Sequence, residues 1–408
     1  MSDVMKGFRI LEVAEHTFVP AASAILAEWG ADVIKVEHVT RGDAMRGLGS
    51  TGIMDLSKGV HVLYEHSNRA KRSIAMDLTV PEGLEVLYEL VKTSDVFLTN
   101  KTPGVTRKLN IGIEQIRAQN PKIIYARGSA YGTRGAEGES GGYDMTGFWC
   151  RGGSAASVTP PNINGSISQP GPAYGDSMGA MTIAGGIAGA LLKRERTGET
   201  SVVDVSLLGL GTWVMGATMA LSMQMGRAWS HAPVGEEAVG MGNPLVGVFL
   251  TKDHRYLNLT MLQAAKYWAD FCKHIDREDL ATDPRFDSHE SLTANAAEAT
   301  RIIRETIASR TLAEWREKFA TLRGQWAPIQ NVLELAEDPQ VRANGYVASA
   351  ETSAGTAFEL AASPVQFDEE PTPTRRGPEF NEHGDEILQE LGLDWEKIIE
   401  LKTRGAVA

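Results

Sequence analysis

Cysteine is scarce in this chain of 408 residues, which contains only Cys150 and Cys272 and no CxxC pair or cysteine/histidine cluster around either. A disulfide framework or a zinc site requires several such residues at short spacing. Neither is predicted, and no metal site is expected. The opening residues, MSDVMKGFRILEV, contain no apolar core of a secretory signal. We therefore expect a cytoplasmic protein.

An excess of positive charge is also missing. The chain has 40 Lys and Arg against 52 Asp and Glu, which gives a formal net charge of −12. A surface of this sign repels the phosphate backbone of nucleic acids and the head groups of anionic membranes. The predicted partners are small molecules, with no nucleic acid and no membrane among them.

Long hydrophobic runs are almost absent. The exception is the uncharged stretch 205–226, in which glycines and hydroxyl side chains dilute the hydrophobicity. We expect this stretch to be a buried core segment in preference to a membrane span. The length of the chain favours two domains, or one large domain that carries a smaller one.

Strand and helix signals alternate from the start of the chain. FRILEV (8–13) is typical of a buried strand, residues 20–30 of a helix between proline and glycine, and ADVIKVE (31–37) of a second strand. This βαβ unit predicts a parallel sheet. Further strands are predicted at 95–99 and 122–127. The fold class is therefore α/β, with a doubly wound, Rossmann-like large domain.

The loop after the first strand, AEHTFVP, lacks the glycines that cradle a dinucleotide phosphate. The sequence therefore predicts a doubly wound sheet that does not bind NAD. Glycine is instead concentrated in residues 128–175, a long stretch without periodicity. Such stretches are typical of functional loops.

Asp176 ends this stretch, after Gly175 and before a helical run at 182–193. One role for it is a helix N-cap, which is worth about 1 kcal/mol. The other is a nucleophile, because a helix dipole lowers the pKa of a carboxylate and keeps it ionised. In that role, Gly175 would let a bulky substrate approach. Gly185 and Gly189 predict close approach of another backbone.

Basic residues precede a strand-like run in NRAKRSIAMDL, where Arg69, Lys71 and Arg72 lie close together. They form either a solvated charged face or a site for the phosphates of a nucleotide-bearing ligand. The residues alone leave both readings open.

The chain resembles the class III CoA-transferases, the family of formyl-CoA and carnitine CoA-transferases. The resemblance runs over most of the sequence in ordered blocks: GADVIKVE (30–37), NRAKRSI (68–74), YGD (174–176), GMGNPLVGVF (240–249), LATDPRF (280–286) and EDPQVRANG (337–345). It implies a large domain made from 1–225 and 331–408, a small α+β domain at 226–330, and an interlocked homodimer.

The resemblance also implies a mechanism. Asp176 matches the catalytic aspartate, which attacks an acyl-CoA thioester to give an aspartyl anhydride and then an aspartyl-CoA thioester that the acceptor carboxylate displaces. No permanent cofactor is implied, because CoA and acyl-CoA are substrates. Lys71, Arg72, Asn100 and Arg107 match positions that contact CoA. Oxyanion donors are expected in the loop 239–243.

The acyl pocket is predicted from the loops around these blocks. Its candidate lining residues are His16, Tyr143, Trp149, Gly240 and Gly242. Thr17 stands where formyl-CoA transferases carry glutamine, which argues against formyl/oxalate exchange.

Two alternatives stay open. An α-methylacyl-CoA racemase resembles the chain but needs a histidine where Tyr143 stands, and a phenol of ordinary pKa, about 10, is a poor base. A catalytically silent CoA-binding protein is the other alternative, against which the intact Asp176 argues.

Overall fold

The computed structural model of the protein describes residues 3–51, 59–231, 233 and 242–408. The chain divides into two compact units. The first contains Met1–Thr159, Ile163–His231 and Pro339–Ala408, and the second contains Pro160–Asn162 and Ala232–Asp338. The sequence placed boundaries at 225/226 and 330/331, and that domain division stays a prediction.

A six-stranded sheet forms the centre of the first unit, and its registered pairs all run parallel, as predicted. Its strands are β1 (Arg9–Val13), β2 (Asp32–His38), β3 (Arg72–Met76), β4 (Val96–Thr99), β5 (Ile124–Ser129) and β6 (Val202–Ser206). The order across the sheet is β3-β2-β1-β4-β5-β6. This order is that of a doubly wound fold, in which the direction of winding reverses between β1 and β4.

Helices cover both faces of the sheet, which explains why its strands read as near-continuous apolar runs. The helices before the second unit are α1 (Phe18–Glu28), α2 (Val62–Asn68), α3 (Pro81–Lys92), α4 (Pro103–Lys108), α5 (Ile113–Gln119), α6 (Ser154–Val158), α7 (Tyr174–Thr197), α8 (Leu207–Val214) and α9 (Gly216–Met225). A 3-10 helix spans Ala44–Thr51 and a π-helix spans Met145–Cys150.

The start of α1 is fixed by close packing against α7 and β5. A Cβ at Gly179 would lie 2.2 Å from Cε2 of Phe18, and one at Gly128 would lie 2.3 Å from Cγ2 of Val19. Only glycine leaves room for these two side chains. The loop between β1 and α1 is therefore held against the carboxyl ends of the strands.

The second unit has its own small sheet and its own core. It contains the antiparallel strands β7 (Val246–Leu250), β8 (Tyr256–Thr260) and β9 (Trp326–Pro328), with helices α10 (Ala264–His274), α11 (His289–Ala294), α12 (Ala296–Ile307), α13 (Leu312–Lys318) and α14 (Val332–Glu337). Short 3-10 helices span Glu278–Ala281 and Phe319–Thr321. The strands β7 and β8 form a hairpin whose turn contains Lys252 and Asp253. Trp268, Phe271 and Trp315 fill the core.

The end of the chain returns to the first unit. It forms α15 (Pro339–Ala343), the antiparallel hairpin β10 (Val347–Glu351) and β11 (Ala357–Ala361), α16 (Gly384–Glu390) and α17 (Trp395–Thr403). Ile387, Ile398 and Leu401 complete the core that packs on the face of the sheet shared with α3.

The prediction of a buried core segment at 205–226 is confirmed only for its first part, where Leu207 and Leu210 of α8 lie in the core. The segment ends β6 and forms α8 and α9, and α9 has no buried residue. Trp213 is 82% exposed and Met223 is 76% exposed. Within the described residues, no helix is long and apolar enough to cross a membrane. Gly185 and Gly189 on α7 likewise meet no neighbouring backbone.

Candidate active site

A cleft opens at the carboxyl ends of β1, β4 and β5, with a volume of about 820 Å³ that includes its open mouth. It therefore lies where the winding of the sheet reverses, which is the place where doubly wound folds bind ligands. Its lining includes Glu15, His16, Phe18, Asn100, Lys101, Thr106, Arg127, Ala130, Thr133, Tyr143, Asp144, Asp176 and Leu207. Four residues predicted for the site, His16, Asn100, Tyr143 and Asp176, are thus brought together.

His16 reaches the cleft from a strained loop. Its φ is 69°, a left-handed value that is uncommon for a residue with a side chain. Its backbone N–H donates to Oδ1 of Asp43 at 3.0 Å, and its ring meets that of Tyr143 edge-on, with centroids 5.7 Å apart. The hydrogen bond from the His16 N–H to Asp43 thus stabilises the conformation of this loop.

Asp43 belongs to a buried network of charges below this loop. Nζ of Lys35 lies 2.6 Å from Oδ2 of Asp43 and 2.8 Å from Oε1 of Glu12, with all three side chains fully buried. Burial acts to raise the pKa of Asp43, but the Lys35 ammonium outweighs it and holds that pKa below its usual value. Asp43 therefore remains an anion and an acceptor for the His16 N–H.

The loop after β4 is tied to the loop after β1. Nδ2 of Asn100 donates to the Glu15 carbonyl at 2.6 Å, and its Oδ1 accepts from the Glu15 N–H at 3.3 Å. Lys101 forms an ion pair with the Glu15 carboxylate. These contacts fix the loops after β1 and β4 relative to each other, at the place where the winding of the sheet reverses.

Asp176 lies in the first turn of α7, two residues after Tyr174 begins the helix, and is not its N-cap. Burial, and then the neighbouring Asp144 carboxylate, raise the pKa of Asp176 to about 7. The position of Asp176 in the sequence predicts a lowered pKa, and this prediction is wrong. A helix dipole contributes about 0.3–1 kcal/mol, whereas desolvation can shift a pKa by several units. Burial therefore dominates.

The N-terminus of α7 is capped from a distant segment. The N–H of Gly175 donates to both carboxylate oxygens of Asp144, each at 3.1 Å. Burial raises the pKa of Asp144, while the N–H groups of Gly175 and Asp176 oppose that rise. The sequence does not predict this role of Asp144, because its partner Gly175 lies in another segment and no local pattern joins the two.

Gly175 is required for packing within the protein and does not make room for a substrate. A Cβ at this position would lie 2.4 Å from Oδ1 of Asp144 and 2.4 Å from Cγ of Phe148. The space that we assigned to an approaching substrate is filled by these two side chains. The glycine is needed so that Asp144 can reach the helix end.

Lys71 is not placed at the cleft. Its side chain is fully buried, and Nζ donates to Oε2 of Glu12 at 2.7 Å, to two backbone carbonyls at 2.8 Å and to Oδ1 of Asn68 at 3.0 Å. All three ammonium protons have acceptors. The predicted contact with CoA does not fit this position, because the residue stabilises the buried network.

Arg72 lies at the opposite edge of the sheet, at the amino end of β3. Its guanidinium pairs with both oxygens of Asp32, at 3.0 and 2.8 Å, and with Glu390 at 2.6 Å. Since the cleft is at the carboxyl ends of the strands, a ligand there cannot reach Arg72. Its predicted role in CoA binding is also corrected.

The other predicted residues occupy varied positions. Arg107 is exposed on α4 and pairs with Glu139 at 2.9 Å. Trp149 is buried, donates to the Ile167 carbonyl at 2.9 Å and does not line the cleft. Gly242 belongs to the second unit, and Gly240 lies outside the described residues.

Comparison with solved structures agrees with the α/β fold. The sequence profile described as CoA-transferase family III matches residues 5–384. The chain belongs to this family and is an enzyme of the CoA-transferase type.

Relatives with assigned activities cover the chain almost completely. It is 29% identical to (R)-2-hydroxy-4-methylpentanoate CoA-transferase of Clostridioides difficile, over 99% of each chain. It is 28% identical to cinnamoyl-CoA:phenyllactate CoA-transferase of Clostridium sporogenes, over 98% of this chain and 96% of that one. Among solved structures, a CAIB/BAIF family protein from Brucella suis matches with a TM-score of 0.78 at 25% identity, over 96% of this chain and 100% of that one.

Proposed function

We propose that the protein moves CoA from an acyl-CoA thioester to a carboxylic acid through covalent intermediates on Asp176. The observation that carries the proposal is the position of this carboxylate in the cleft, together with its raised pKa. It lines the cleft, and its pKa of about 7 is set by burial and by Asp144. Within the described part of the chain, no hydrogen bond is donated to it, so its oxygens are available for attack.

The reaction then runs as a series of balanced acyl exchanges. An oxygen of Asp176 attacks the thioester carbonyl, the C–S bond breaks, and an anhydride and CoA thiolate result. The thiolate attacks the aspartyl carbonyl and releases the donor acid, leaving an aspartyl-CoA thioester. The acceptor carboxylate displaces CoA from it, and the returning thiolate attacks the acceptor's acyl carbon to give the new thioester and free Asp176.

The raised pKa suits these steps. A carboxylate with a pKa of about 7 is more basic, and hence a better nucleophile, than one with an ordinary value near 4. At pH 7 about half of it is still ionised. The anhydride and the thioester on Asp176 are neutral, so each acylation removes a charge that is costly beside Asp144.

CoA is proposed to enter over the loop after β4. Asn100 lines the cleft there, and the exposed guanidinium of Arg107 on α4 would exchange its ion pair with Glu139 for a phosphate of CoA. A neighbouring cavity of about 480 Å³ shares Glu15 and Lys101 with the cleft. This provides space for parts of CoA that the cleft alone does not hold.

A homodimer is part of the proposal. The helices α8 and α9 expose Trp213, Met219, Leu221 and Met223, an apolar surface that soluble proteins cover with a partner. A second copy of this chain is the proposed partner, in the interlocked form that the family resemblance implies. Met223→Glu should then shift the mass measured by light scattering from two chains towards one. A wild-type mass of one chain would contradict the dimer.

Oxygen labelling tests the covalent route. The acceptor acid is supplied with ¹⁸O in its carboxylate, together with unlabelled acyl-CoA. In a single turnover, with enzyme in excess over acyl-CoA, the proposed steps leave one ¹⁸O atom in Asp176 and none in the donor acid, because the acceptor's C–O bond breaks when CoA attacks. Direct transfer between two bound substrates would place that atom in the released donor acid. Asp176→Asn is the matched control and should show neither turnover nor label.

A further inference from the structure

The charges that line the cleft constrain its second substrate. Three carboxylates, those of Glu15, Asp144 and Asp176, face two cations, Lys101 and Arg127, among the described lining residues. Lys101 is already paired with Glu15. The other carboxylate oxygen of Glu15 lies 3.1 Å from Nη2 of Arg41, so Lys101 and Arg41 share this one carboxylate.

The charge of Arg127 is likewise neutralised. Its Nη2 donates to Oδ2 of Asp204 and to Oγ1 of Thr133, each at 2.9 Å. Thr133 in turn donates to Asp204 at 3.0 Å. The Nε of Arg127 is buried without a hydrogen-bond partner, and it can donate to a neutral oxygen. Once the partners Arg41 and Asp204 are counted, four carboxylates stand against three cations in the described lining, which leaves one negative charge in excess.

A substrate with two carboxylates would meet this lining with one charge too many. The reacting carboxylate loses its charge when it forms the anhydride with Asp176. A second carboxylate keeps its charge close to Asp144, where the described charges already include one negative charge in excess. Placing an uncompensated charge in a partly buried site is strongly unfavourable.

The rest of the lining favours an uncharged chain. Phe18, Ala130 and Leu207 present apolar surface, and the edge-on pair of His16 and Tyr143 adds aromatic surface. Resting on the proposed function, we infer that the acids exchanged at Asp176 are monocarboxylic, with an apolar or hydroxylated chain, and that dicarboxylic acids are poor substrates.

Matched acids test this inference directly. Pentanoate and pentanedioate have the same number of carbons and differ in one terminal carboxylate. With one acyl-CoA donor at pH 8, where an ordinary imidazole is neutral, we expect kcat/KM for pentanoate to be at least about tenfold higher. Equal rates, or a preference for pentanedioate, would overturn the inference and leave the transferase activity intact. No transfer to either acid from any thioester would overturn both proposals.

Releasing a cation should relax the selectivity. Glu15→Gln frees Lys101, so the ratio of the two kcat/KM values should fall about fivefold, through faster use of pentanedioate. Asp204→Asn should do the same through Arg127 and serves if the first variant does not fold. Glu137→Gln is the matched control, since it frees the exposed Arg151 outside the lining. An unchanged ratio in both folded cleft variants would contradict the assigned role of these charges.

Discussion

The carboxylate of Asp144 caps the helix whose first turn carries Asp176, and its charge helps to raise the pKa of Asp176. One side chain therefore fixes the position of the proposed nucleophile and raises its pKa. The two effects can be separated, because asparagine at position 144 keeps an acceptor oxygen for the Gly175 N–H but removes the charge.

Asp144→Asn should shift the pH dependence of transfer. Asp176 reacts as the anion, so the rate should rise with pH through about 7 in the wild type. Without the like charge, the pKa of Asp176 falls and the midpoint should move to lower pH. The measurement is kcat from pH 5 to 9. A midpoint that stays in place would show that burial alone sets the value.

Asp176→Asn should lower the rate of transfer by about 10³-fold or more. The same change should stabilise the folded protein in alkaline solution. The pKa of Asp176 is about 7 in the folded protein, above its usual value. Ionisation of the folded state thus costs stability as pH rises from about 4 to 7. At pH 8.5 the variant should be more stable by up to about 4 kcal/mol. Urea titrations at pH 5 and 8.5 measure the difference, which should shrink at the lower pH.

Gly175→Ala should destabilise the protein and weaken catalysis together. The new Cβ would lie 2.4 Å from Asp144 and Phe148, so both must move. Overpacking of this kind costs about 1–3 kcal/mol. Gly171→Ala is the control, since its Cβ would have no neighbour within 4 Å. Equal stability of the two variants by denaturant titration would contradict the close packing at Gly175.

Asp43→Ala should damage the loop that carries His16. The change leaves the Lys35 ammonium with one fewer partner and removes the acceptor for the His16 N–H. Breaking a buried ion pair costs about 3–5 kcal/mol. The control is a substitution of Lys397, which forms an exposed ion pair with Glu400. It should lower the free energy of unfolding by less than about 1 kcal/mol. Similar losses in the two unfolding titrations would argue against the network.

The sequence predicted the parallel sheet well because its strands are short apolar runs separated by helices. Local patterns of this kind are enough to predict where strands and helices alternate. It also identified Asp176, His16 and Tyr143. It could not predict that Lys71 is buried, since its acceptors come from β1, α1 and α2. Nor could it predict the pKa of Asp176, because a local helix dipole can be read from sequence while burial and Asp144 depend on the fold.

The central claim is that Asp176 becomes covalently acylated. The most direct test incubates the protein with an acyl-CoA, traps the intermediate with hydroxylamine and maps the peptides by mass spectrometry. The account predicts a hydroxamate on Asp176 that requires acyl-CoA and is absent in Asp176→Asn. Turnover with no adduct on the peptide that contains Asp176, or with an adduct on another residue, would contradict it.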